Sequence, residues 1–195
     1  MPRSRPPVRQ RALEDGKTLY IAVPRLAGEH PFLALRPDEL IVSARKAASI
    51  KGSGQHGSPV AVNDLVPIDL VITGCVAVDA SGARLGKGGG FADLEFALAQ
   101  AAGMITASTV VATTVHDSQV LDVGRIPVTG HDASVDLVIT PTRTIRVDPR
   151  PSRPAGIDWD DLTEEKIAAI PLLQRLASGA EGARPVHGAP PASDG

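Results

Sequence analysis

A single cysteine, Cys75, rules out any intrachain disulfide, so the 195-residue chain must hold its fold without covalent crosslinks. The same scarcity points to a reducing compartment, and the cytoplasm is the predicted location. Aromatic residues make up only 3%, too few for the stacking surfaces of single-strand nucleic-acid binders. A net charge of -2 gives no global attraction to nucleic acid or to an anionic membrane. No apolar run approaches the roughly 18 residues of a spanning helix. Arg3, Arg5, Arg9 and Arg11 open the sequence with no apolar stretch behind them, so no secretory signal is read there. What is present is 43% hydrophobic residues, dominated by Ala, Val, Leu and Ile. That composition and length suit one α/β domain with a real core.

The ends differ from the middle. Residues 1–16 are rich in Pro and Arg and read as a flexible, unpacked lead-in, either a solvated tail or a weak RNA contact. Residues 179–195 are rich in Gly, Ala, Pro and Ser and read as a disordered tail, which leaves 17–178 as the folded domain. Within it, TLYIAV at 18–23, DLVIT at 69–73 running through Gly74 into 75–78, TVVATTV at 109–115 and VDLVIT at 135–140 are nearly continuous apolar runs. Runs of that kind fit strands buried on both faces of a parallel sheet. Phe91, Leu94, Leu98 and Ala101 share one face of a helix over 91–102. Leu162, Ile167, Ile170, Leu173 and Leu176 form a stripe on a second helix over 160–177, which Pro171 should break near Ile170. Alternating strands and helices predict a three-layer, Rossmann-like α/β fold, a mainly parallel sheet flanked by helices. Residues 44–60, with Gly52, Gly54, Gly57 and Pro59, read as a mobile loop carrying Lys46 and Lys51, either a surface connection or a flap over an anion.

The informative segment is Arg84-Leu85-Gly86-Lys87-Gly88-Gly89-Gly90-Phe91-Ala92-Asp93. It follows a strand and a turn at Asp79–Gly82 and opens a helix. Glycines let the backbone approach a ligand closely, and successive amides at a helix start can converge on an anion. Arg84 and Lys87 add charged donors suited to phosphate. The competing reading is a glycine turn without function. Asp93, in the first helical turn, is favoured by the helix dipole and is also suitably placed to hold Mg²⁺ beside phosphates. The dinucleotide pattern fails because Phe91 stands where its third Gly is needed, and Gly16-Lys17-Thr18 lacks the rest of a Walker A loop. His116-Asp117 and His131-Asp132 either cap loops at strand ends or form a metal site. No G-x-S-x-G elbow supports hydrolase chemistry. Cys75 reads as a small core filler and Trp159 as an anchor for the C-terminal helix.

The glycine loop resembles that of the 5-formyltetrahydrofolate cyclo-ligase (methenyltetrahydrofolate synthetase) family, whose mark is Arg-Leu-Gly-x-Gly-x-Gly-Tyr-Tyr-Asp. Arg84, Gly86, Gly88, Gly90 and Asp93 match it, and KTLYIAVPRL at 17–26, QVLD at 119–122 and HDASVDLVITP at 131–141 extend the likeness over about 8–175. The resemblance implies a cyclo-ligase fold of the NagB/RpiA/CoA-transferase-like type. It also implies an ATP- and Mg²⁺-dependent ligase that converts 5-formyltetrahydrofolate to 5,10-methenyltetrahydrofolate, with nucleotide and folate as small-molecule partners. By likeness, Arg84, Gly86, Lys87, Gly88, Gly89 and Gly90 cradle the triphosphate, Arg84 and Lys87 serve catalysis by neutralising charge, and Asp93 helps to hold Mg²⁺. Two departures stand out. Phe91-Ala92 replaces the family's Tyr-Tyr, and the likeness enters near residue 17, after the helix with an ATP-contacting Lys and the further strands that the family carries. The wording GFADLE at 90–95, with TTVHDSQVLD, is most similar to a paralogous, cyclo-ligase-like branch without established cyclo-ligase activity, which gene context has linked to thiamin metabolism.

Overall fold

The computed structural model describes residues 5–179, apart from Glu29, Val62, Asn63 and Ala155. Among the described residues the strands form three sheets, with helices packed on and between them. Strands β1 (Leu19–Ala22), β2 (Phe32–Leu35) and β3 (Ser58–Val60) make an antiparallel sheet. The second sheet has the order β10-β9-β7-β4, from β4 (Leu70–Thr73), β7 (Val110–Thr114), β9 (Leu137–Ile139) and β10 (Thr144–Arg146). Here β4, β7 and β9 run parallel, with β10 antiparallel at the edge. The third sheet joins β6 (Arg84–Leu85), β5 (Ala77–Asp79) and β8 (Val120–Leu121).

The apolar runs at 69–73, 109–115 and 135–140 form the parallel core as their composition implies, and Val111, Ala112 and Val138 are buried there. The run at 18–23 pairs differently. Pro24 ends β1, a tight turn at Pro24–Leu26 follows, and the chain returns at once as β2. A connection that short joins antiparallel strands, whereas a parallel pair needs a long crossover. The run through Gly74 also divides: β4 lies in the parallel sheet and β5 in the third one.

Residues 44–60 are not a loose loop. Ser43 caps α2 (Ala44–Ala47) and Ser49 caps α3 (Ile50–His56), each hydroxyl accepting an amide at the third following residue. Gly52 is there for closeness, since a Cβ on it would lie 1.8 Å from the Lys46 carbonyl oxygen. The N-terminal segment is likewise ordered over α1 (Arg5–Glu14), whose Leu13 is buried with Leu35, Ala47 and Ala48. Arg11 pairs with Asp15 on its exposed side, as a solvated helical face does. The disordered tail read at 179–195 lies, from residue 180 on, outside the described residues.

Helix α4 (Phe91–Ala101) is the structural pivot. Leu94 and Leu98 pack with Leu26, Ile170, Leu172 and Leu173, while Phe96 and Ala99 join Val78, Val111 and Val138 under the sheet. Two buried sides replace the single stripe expected, and Ala101 is exposed. The last helical segment breaks where Pro171 requires: α5 (Glu164–Ala169) and α6 (Pro171–Ala177) meet at Ile170, whose φ of -119° and ψ of 106° are not helical. Trp159 packs against the cluster that α6 shares with α4. No helix among the described residues is long and apolar enough to cross a membrane.

Candidate functional site

The glycine loop is set in place by a hairpin with an unusual anchor. Asp79, at the end of β5, is 0% exposed. Its Oδ1 accepts the Ser81 amide at 2.9 Å and the Ser81 hydroxyl at 2.6 Å, and its Oδ2 accepts the Gly124 amide at 3.1 Å. Hydrogen bonds of this kind let a carboxylate be buried without a cation. Gly82 completes the turn at φ +85°, with no space for a Cβ because the Val135 carbonyl oxygen would sit 2.3 Å from it. The chain then reverses into β6 and must leave the sheet at Gly86.

Arg84 points inward. Its side chain is 2% exposed, its Nε donates to the Ala133 carbonyl oxygen at 2.7 Å, and its Nη2 donates to Asp93 Oδ1. Asp93 Oδ1 also accepts the Ala133 amide at 3.0 Å. Arg84, Asp93 and the Ala133 peptide thus form a closed clamp that ties β6, the first turn of α4 and the segment before β9 together. Beyond Ala133 a second carboxylate secures the same segment. Asp136 accepts Arg150 Nε at 2.9 Å, Arg153 Nη2 at 2.5 Å and the Val111 amide at 2.7 Å. Burial pushes the Asp136 carboxyl up, but the Arg150, Val111 and Arg153 bonds outweigh it and hold the group below its ordinary value.

Above the clamp the loop faces solvent. Gly86 is half-buried, Lys87 through Gly90 are exposed, and a Cβ on Gly86 or Gly88 would meet nothing within 4 Å. Gly88 and Gly90 adopt φ of +88° and +62°. Among the described residues the amides of Gly86 to Gly90 donate to no protein acceptor. Helix α4 starts at Gly90 without a side-chain cap, its first backbone bond being the Leu94 amide to the Gly90 carbonyl oxygen at 3.1 Å. Open amides, an uncapped helix start and the nearby Lys87 leave positive potential here, while Asp93 in the first turn has its charge matched by Arg84. Asp93 Oδ1 is occupied, and Oδ2 is the oxygen left for a cation. Mg²⁺ commonly takes one or two protein carboxylates and completes its shell with water and phosphate oxygens, so this donor set fits.

One residue at the loop carries no motif to announce it. Lys166, from α5, places its Nζ 5.6 Å from the centre of the Phe91 ring and 2.9 Å from where a Cβ on Gly90 would stand. Its spacing in the sequence marks only a polar position on an amphipathic helix. The two His-Asp pairs serve loops. His116 caps the turn at Asp117–Gln119, and Asp117 accepts the Thr140 and Thr142 hydroxyls at 2.7 and 2.6 Å. Those two bonds hold its carboxyl below the ordinary value. Asp132 accepts the Thr129 amide, and His131 lies 3.5 Å from Asp161. No cluster of three metal-binding side chains occurs among the described residues. Cys75 packs against the sheet cluster with its thiol 3.3 Å from the Thr113 hydroxyl.

Residues 3–141 match the 5-formyltetrahydrofolate cyclo-ligase family model. The methenyltetrahydrofolate synthase domain-containing proteins of Bos taurus and Homo sapiens are each 38% identical to this chain, over 84% and 87% of it. The chain spans less than half the length of these two, 43% and 44%. The 5-formyltetrahydrofolate cyclo-ligase of Escherichia coli (strain K12) is 31% identical over 143 residues, 70% of either chain. The α/β fold, the glycine loop on its clamp and the match over residues 3–141 lead to one assignment: the chain belongs to the 5-formyltetrahydrofolate cyclo-ligase family.

Proposed function

We propose that the chain binds MgATP through the Gly86–Gly90 loop and uses it in an ATP-dependent ring closure of a formylated reduced folate. The observation that supports this best is the row of exposed, unpartnered amides at the start of α4. Adjacent backbone donors open at a helix start beside a lysine make a ready site for an anion. ATP, when bound, would supply the phosphoryl group that makes the formyl oxygen a leaving group, so that the second folate nitrogen bonds to the formyl carbon and the oxygen departs as inorganic phosphate. The residues of the chain have simpler tasks. Gly86, Gly88, Gly89 and Gly90 present amides to the phosphates, Lys87 neutralises charge that grows during transfer, and Asp93 Oδ2 takes a share of Mg²⁺. Arg84 serves from beneath as the positioning residue that holds Asp93 and Ala133. Little else is required, because phosphoryl transfer depends on placement and charge neutralisation.

A second reading has its own observation. Phe91-Ala92 leaves no phenol hydroxyl at the loop, and the domain-containing relatives are more similar to this chain than the Escherichia coli cyclo-ligase is. On that reading the site binds nucleotide without closing the folate ring. Purified chain incubated with MgATP and 5-formyltetrahydrofolate separates the two. Formation of the absorbing methenyl product is expected for the first, and MgATP binding without product would replace it with the second.

A further inference from the structure

Lys166 lies past residues 3–141, the segment that the family model matches, on α5. Its position is fixed rather than incidental. Ile170, Leu172 and Leu173 are buried against Leu94 and Leu98 of α4, and Ile167 packs on the same cluster. That docking sets α5 beside the first turn of α4. From there the Lys166 stem reaches the Phe91 ring, and its ammonium ends next to Gly90, the last exposed glycine of the loop. A ring face attracts a cation without cancelling its charge. Glu164 and Glu165 precede the lysine directly, yet Lys166 makes no ion pair among the described residues. A charged ammonium is therefore held at one end of the loop, while Lys87 stands at the other.

We propose that Lys166 is a phosphate ligand of this site, and that the two lysines bracket a chain of phosphates, so the ligand class is a nucleoside di- or triphosphate and not a monophosphate. The inference rests on the nucleotide reading above. It also gives Phe91 a purpose: the ring that lacks a phenol hydroxyl is the platform for a cation brought in by α5.

The test is calorimetric titration of the full chain with MgATP, MgADP and AMP. The proteins compared are the parent, Lys166→Met, which keeps an unbranched stem over Phe91 without charge, Lys166→Arg, and Gly88→Val. We expect Lys166→Met to weaken MgATP and MgADP about tenfold or more and AMP by less than about twofold, with a shallower salt dependence, because one cation–phosphate contact is gone. Lys166→Arg should bind within about threefold of the parent, since the charge is kept. Parent-like MgATP binding by Lys166→Met, with Gly88→Val defective, overturns the role of Lys166 and leaves the loop reading intact. Equal losses in Lys166→Met and Lys166→Arg, with lowered melting temperatures, overturn it in favour of packing. No nucleotide binding by the parent overturns both readings.

Discussion

Arg84 carries the clearest lesson at the scale of single residues. An arginine beside a glycine loop suggests a phosphate ligand, and here its Nε and Nη2 are given to the Ala133 carbonyl oxygen and Asp93. Removing it should act first on stability. Arg84→Ala leaves Asp93 without its cation in a mostly buried setting, a change that costs about 3–5 kcal/mol. Urea unfolding checks this, and a loss below about 1 kcal/mol would contradict the clamp. Gly88 should behave oppositely. Its φ of +88° is closed to β-branched side chains, yet the space around it is open. Gly88→Val should abolish MgATP binding while leaving most of the unfolding free energy in place, because the strain falls on an exposed loop. Both roles are written in the same ten residues of sequence. The glycines were legible because positive φ and close approach are local properties. Where Arg84 points was not, because it depends on a peptide at Ala133, far along the chain.

Elements were legible where their signal is local and obscure where it depends on partners. Pro171 broke the final helix at Ile170 as its missing amide demands, and the glycine loop opened a helix at Phe91. The 44–60 segment misled because its glycines suggest looseness, whereas Gly52 permits close packing under two serine caps. The expectation of a mainly parallel sheet holds for β4, β7 and β9, whereas β1 pairs antiparallel in a separate sheet, because its apolar run is the same whichever way its neighbour points. Lys166 was invisible for a related reason: only the docking of α6 onto α4 brings α5 to the loop. That docking can be probed at Leu173, which is fully buried between them. Leu173→Ala should cost about 2–5 kcal/mol of stability, as truncation of a buried leucine does. It should also weaken MgATP binding without touching the loop. Stability loss with unchanged affinity would separate α5 from the site.

The whole molecule is held across its middle by Asp136, which links Arg150, Arg153 and the amide of Val111. Its carboxyl titrates below the ordinary value in the fold. The proton therefore binds more readily to the unfolded chain, so the stabilisation is complete above the unfolded-state pKa and disappears as pH falls through the lower folded one. Acid should accordingly destabilise the parent below about pH 4, where carboxylates take up protons. Asp136→Asn should start about 3 kcal/mol less stable at neutral pH and lose less on acidification. Urea midpoints of the two proteins from pH 3 to pH 7 check it, and parallel curves would place the acid sensitivity elsewhere. The fold as a whole was readable as α/β from its apolar runs, while this crosslink between distant segments was not. The most direct test of the account returns to the loop amides. Amide-resolved NMR during a MgATP titration should shift Gly86, Gly88, Gly89 and Gly90 more than any other group of residues. Tight binding that leaves these four amides unmoved would contradict it.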